Sequence, residues 1–177
     1  HIPWSEVAQG PWALFTSGSK SFNIPAFTGA YGFIPEANCR DSYLQALKAR
    51  DGLSSPSVPA LVAHIAAYRD GAPWLDALRD YLQANMRYVA DTLNNAFPAL
   101  CWQPPEATYL AWIDLRPLNI DDRALQQALI AGQKVAIMPG YTYGPEGNGF
   151  LRLNVGCPRE KLERGVAGLI AALRSLS

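Results

Sequence analysis

Four hydroxyl side chains, Thr16, Ser17, Ser19 and Ser21, crowd Lys20 in the stretch TSGSKSFNIPAF (16–27), directly after the apolar run Trp12–Phe15. A lysine amine becomes a nucleophile where its surroundings disfavour the ammonium, and it then forms Schiff bases with carbonyls. Hydroxyls and backbone amides at a strand exit hold anions. The stretch therefore offers an amine for an aldehyde and donors for a phosphate, the two demands that pyridoxal phosphate makes of a site. A solvated loop uses the same residue types, because Ser and Gly make turns and Lys favours surfaces. Ser17 and Lys20 also have the S-x-x-K spacing of acylating serine enzymes, which additionally need S-D-N and K-T-G triplets. Neither triplet occurs here, and Asn23-Ile24-Pro25 continues a helix poorly.

Arg152 is the second candidate. Strand alternation in Phe150–Val155 puts Leu151, Leu153 and Val155 on one face and Phe150, Arg152 and Asn154 on the other. A planar guanidinium grips a carboxylate through two parallel hydrogen bonds, as recognition of an amino acid requires. The alternative is a strand with one wet face. The preceding loop, Gly140–Gly149, lacks the G-x-x-x-x-G-K-[ST] phosphate pattern and reads as a turn or gate. Asp114 and Arg116 flank Leu115 as a surface pair, and Ser54, Ser55 and Ser57 suit the start of a helix.

The elements that must carry these residues follow from period and punctuation. Trp12–Thr16 and Thr28–Ile34 are short apolar runs bounded by Gly, Pro and Ser, which predicts two buried strands that pair or neighbour in one sheet. Helical spacing begins at Arg40 and stops at Asp51-Gly52, and a second helix is expected over Val58–Arg69. Pro73 opens the longest helix, whose stripe of Leu75, Leu78, Leu82, Met86, Val89 and Leu93 reads as a core face. Strands are expected at Tyr109–Leu115, Val135–Met138 and Phe150–Val155. A capped helix from Asp121 to Ile130 and a last helix from Pro158 alternate with them, which makes an α/β layer. A boundary near Ala37–Arg40 divides residues 1–38 from residues 39–177.

The totals narrow the classes. The 177 residues are 49% hydrophobic and 17% charged, a soluble composition long enough for a sizeable core. Fifteen basic residues balance fifteen acidic ones, so no basic stripe offers itself to nucleic acid. No apolar run approaches the roughly 18 residues of a membrane-spanning helix. Cys39, Cys101 and Cys157 are widely spaced and only His1 and His64 accompany them, so no metal site is expected. Free thiols fit a reducing, cytoplasmic setting. The chain opens on His-Ile-Pro-Trp and runs almost at once into a strand, which points to a fragment.

TSGSKSFNIPAFTGAYGF (16–33), DGLSSPSVPALVAHIAAYRDGAPWLDALRDYL (51–82), ATYLAWIDLRPLNID (107–121), KVAIMPGYTYG (134–144) and GFLRLNVGCP (149–158) together resemble the C-terminal half of class I/II aminotransferase-like pyridoxal-phosphate enzymes. The similarity is greatest to the branch of cystathionine β-lyases and maltose-regulon modulators. The resemblance implies the last strands of a large-domain sheet in residues 1–38 and a small α/β domain in 39–177. It implies that Lys20 bonds the cofactor, that Ser17 contacts its phosphate and that Arg152 holds the substrate carboxylate. It further implies a small amino-acid substrate, β-elimination at a C–S bond or else transamination, a homodimer, and a surface that restrains a transcriptional activator. Three positions depart from the general pattern: Thr28 replaces a phosphate-binding Arg eight residues after the lysine, and Asn23 and Ala26 stand where glycine is frequent. The phosphate loop, the ring-stacking aromatic residue and the Asp facing the pyridine nitrogen belong to the family's N-terminal half and have no counterpart here.

Overall fold

The computed structural model describes residues 2–53 and 55–176; the expected share of Ser54 in a helix start, and His1, lie outside the described residues. The chain divides into two compact units, one running to Ala77 and one from Leu78.

The first unit opens with a helical turn, α1 (Trp4–Val7), and then forms a hairpin of β1 (Leu14–Thr16) and β2 (Tyr31–Phe33). The two strands are antiparallel, with Leu14 opposite Phe33 and Thr16 opposite Tyr31. The pairing agrees with the sequence, but the strands are shorter than their apolar runs. They are also exposed instead of buried: Phe15 keeps 51% of its surface and Phe33 keeps 53%. Two strands cannot shield both of their own faces, and among the described residues no further strand joins this sheet. Helix α2 (Ala37–Gln45) starts at Glu36, whose carboxylate accepts the amides of Asn38 and Cys39. It widens into a π-type turn over Ala46–Arg50, and Gly52 follows with φ +64°.

Helix α3 (Val58–Asp70) starts after Ser57, whose side chain makes no cap hydrogen bond; Pro59 fits its first turn. Ala60, His64, Ala67 and Gly71 recur at steps of four, three and four, and this small-residue face packs on the lysine loop. The expected boundary near Ala37–Arg40 coincides with the start of α2, within the first unit.

Helix α4 (Ala72–Ala96) ends before Pro98, as its stripe predicts. Met86, Val89 and Leu93 are buried, whereas Leu75, Leu78 and Leu82 are half-buried. In the second unit β3 (Leu110–Asp114), β5 (Phe150–Asn154) and β4 (Met138–Pro139) form an antiparallel sheet in that order. β4 is shorter than the expected Val135–Met138 strand. Helix α5 (Asp122–Gln127) widens into a π-type turn that closes with Val135 donating to Leu129, and Lys134 is left-handed at φ +57°. Val135 is therefore committed to the helix end. Helix α6 (Arg159–Arg174) buries Leu162, Val166, Leu169 and Leu173. The continuous apolar core lies wholly in this unit, from Met86 to Leu173.

Candidate active site

Lys20 sits on one helical turn tied off at both ends. Phe22 N–H donates to Gly18 at 2.9 Å and Ile24 N–H donates to Ser19 at 3.0 Å. Asn23 between them has φ +53°. A six-residue bond closed by a left-handed residue is the Schellman way of ending a helix, and Pro25 then prevents its continuation. The departure at Asn23 thus has a physical meaning. After glycine, asparagine enters this backbone region most readily.

Ser17 lies one turn before Lys20. Its hydroxyl is 2.7 Å from the Gly29 carbonyl, accepts the Ser19 amide at 3.1 Å and also contacts the Ser19 hydroxyl. His64 Nε2 is 3.3 Å from the same oxygen. Behind this cluster Phe22 meets Tyr68 edge-on at 5.3 Å and Trp74 face-on at 6.5 Å. Lys20 itself is exposed. The turn thus presents its amine outward, and the half-buried hydroxyls of Ser17 and Ser19 stand on the same turn.

Arg152 belongs to the second unit, in the middle strand, opposite Trp112 on one side and Met138 on the other. Its guanidinium lies 4.7 Å from the centre of the Tyr143 ring. Trp112 meets Tyr143 edge-on at 5.7 Å and stacks on Phe150 at 5.5 Å. Arg116 covers the far side of Phe150 at 4.6 Å and is held by Asp114 through two bonds of 2.9 and 2.7 Å. That pairing keeps the Asp114 carboxyl below its usual range. Arg152 has no such carboxylate among the described residues, and its Nε is buried without a hydrogen-bond partner. The guanidinium is thus half-buried and seated on an aromatic ring, with its Nε left without a partner.

The Gly140–Gly149 loop is two consecutive 3₁₀ turns, Gly140–Tyr143 and Pro145–Gly147, in which the Gly140 and Gly147 backbones touch. Its inner side delivers Tyr143 to Arg152. Its outer side and the start of α5 form a cleft of about 640 Å³ lined by Asp121, Asp122, Arg123 and Tyr141, and this cleft holds none of the candidate residues. His64, Trp112 and Tyr143 were not singled out from sequence. The signal for Trp112 was present, since alternation along Tyr109–Leu115 places it on the Arg152 face once the strands are paired.

The sequence profile described as Aminotransferase class I and II matches residues 1–169, and the chain belongs to this family. It is 73% identical over 176 residues to protein MalY of Escherichia coli strain K12, covering 99% of this chain and 45% of that protein. It is 37% identical over 155 residues to the cystathionine beta-lyase PatB of Bacillus subtilis strain 168, covering 88% of this chain and 40% of that protein. Among solved structures it superposes on the PLP-bound C-S lyase from Staphylococcus hominis with a TM-score of 0.78 and 31% identity, over 91% of this chain and 42% of that chain. The chain spans less than half the length of these relatives. Its α/β fold is that of the C-terminal portion of PLP-dependent aminotransferase-fold proteins.

Proposed function

We propose that this chain is the C-terminal part of a cytoplasmic pyridoxal-phosphate-dependent β-C–S lyase acting on cystathionine or a similar cysteine conjugate. Residues 1–38 close the large domain in this reading and residues 39–177 build the small one. The buried, unanswered Nε of Arg152 carries the reading, because it calls for a carboxylate that every amino-acid substrate brings.

The residues present fit the cofactor. Lys20 would hold it covalently, and Ser17 and Ser19 would donate to its phosphate from the same turn. When bound, the cofactor supplies an electron sink for the substrate's Cα carbanion. Once the substrate amine has released it from the cofactor, Lys20 would take the Cα proton, and loss of that proton would let the β-thiolate leave. Arg152 fixes the carboxylate and with it the orientation of the Cα–H bond. Tyr143 covers one side of the guanidinium. A protein whose Lys20 returned the proton to the cofactor would be an aminotransferase, and the 37% identity to a cystathionine beta-lyase favours elimination. The intact protein is a homodimer in this reading, and the 73% identity to MalY supports a surface that restrains a maltose-regulon activator.

The test is pyruvate release from cystathionine by this chain joined to the N-terminal portion that MalY carries. Turnover dependent on added pyridoxal phosphate is expected. Transamination of the same substrate without pyruvate would replace the lyase assignment.

A further inference from the structure

We infer that His64 is a positioning residue for the phosphate subsite, acting through the hydroxyl of Ser17; the inference rests on the reading of Lys20 as the cofactor lysine.

The imidazole occupies a slot made by two glycines. A Cβ on Gly18 would come within 3.3 Å of His64 Cδ2, and one on Gly29 within 3.2 Å of Cε1. At its far end Nδ1 is 2.8 Å from the carbonyl of Ala60, a residue only 2% exposed. A carbonyl can only accept, so Nδ1 carries hydrogen and Nε2 is the atom presented to Ser17. Ser17 donates its one proton to the Gly29 carbonyl at 2.7 Å, and Nε2 lies 3.3 Å from the same hydroxyl oxygen.

The ring thus holds Oγ in place from α3, so that the Ser17 proton can turn from the Gly29 carbonyl to a phosphate oxygen. Thr28 stands where the family's general pattern has a phosphate-binding arginine, and His64 reaches the same loop from α3. The other titratable groups on the elements packed against the ring are Lys20 on the loop, Tyr68 and the paired Arg69 and Asp70 on α3, and Tyr31 on β2. No carboxylate among the described residues hydrogen-bonds the imidazole.

The experiment compares pyridoxal phosphate with pyridoxal, which lacks the phosphate, in the full enzyme carrying this chain. Binding is read from visible absorbance in the parent, His64→Leu, His64→Gln, Ser17→Ala and the double variant His64→Leu/Ser17→Ala. His64→Leu is expected to weaken pyridoxal phosphate at least tenfold and pyridoxal less than twofold. Adding His64→Leu to Ser17→Ala should then cost little more, since the ring acts through that hydroxyl. His64→Gln, which keeps a polar group able to reach the Ser17 hydroxyl, should recover most of the loss. Equal weakening of both ligands, or additive losses in the double variant, would overturn the inference. Absence of a borohydride-fixed label at Lys20 in the parent would instead refute the assignment of the lysine.

Discussion

Arg152 and Tyr143 form a cation–π pair at 4.7 Å, yet the Nε of that arginine is buried with no hydrogen-bond partner. The ring thus holds the guanidinium without using its hydrogen-bond donors. Tyr143→Leu should raise KM for the amino-acid substrate about three- to tenfold with little change in kcat, as loss of roughly 1 kcal/mol of cation–π interaction implies. Arg152→Lys should be worse, losing about 2–3 kcal/mol in kcat/KM, because a point charge cannot replace the fork. Steady-state kinetics on both variants decide the order. A Tyr143→Leu enzyme weaker than Arg152→Lys would contradict it.

Lys20 should be the residue labelled when the holoenzyme is reduced with borohydride, and peptide mapping will locate the label. Lys20→Ala should abolish both the label and turnover. The exposed lysines Lys48, Lys134 and Lys161 serve as internal controls. Labelling of any of these in place of Lys20 would move the site.

Asn85 should matter for stability and not for chemistry. It is 1% exposed, donates to the Val155 carbonyl at 2.9 Å and accepts from Arg159 at 3.2 Å. Asn85→Leu leaves a buried carbonyl without its partner and should cost about 1–3 kcal/mol. Urea denaturation will show this as a lower midpoint with unchanged slope.

Tyr68 responds to alkali. Its hydrogen bond with Tyr31, at 2.7 Å, is the main cause pushing its phenol from 10.0 up to about 12, with burial and the Tyr31 charge adding to it. A value raised in the folded state gives stability that is present below pH 10 and lost as pH rises through about 12. Tyr31→Phe should bring the Tyr68 titration back toward 10, which phenolate absorbance will follow. An unchanged titration in the variant would show that burial, and not the hydrogen bond, sets the shift.

Much of the local geometry around the candidate residues was legible in the sequence. Lys20 among hydroxyls, Pro25 after the turn, and the alternation that puts Arg152 and Leu151 on opposite faces are local properties, fixed within a few bonds by backbone sterics and strand period. The helix stripe of α4 and the cap of Asp121 on α5 were readable for the same reason. The sequence could not show what meets what. Ser17 and His64 are 47 residues apart, and only the packing of α3 on the hairpin brings Nε2 to that hydroxyl. Tyr143 reaches Arg152 because its loop folds back on β5, and the Nε is orphaned because the sheet around it carries aromatic rings where a carboxylate could have stood. The apolar run at Trp12–Phe15 shows the limit from the other side. Hydrophobicity made it a strand, but burial depends on neighbouring strands, and among the described residues no further strand joins the hairpin. Covalent geometry and side-chain period act along the chain and can be read from it, whereas partners, burial and unanswered donors are properties of surfaces that meet only on folding.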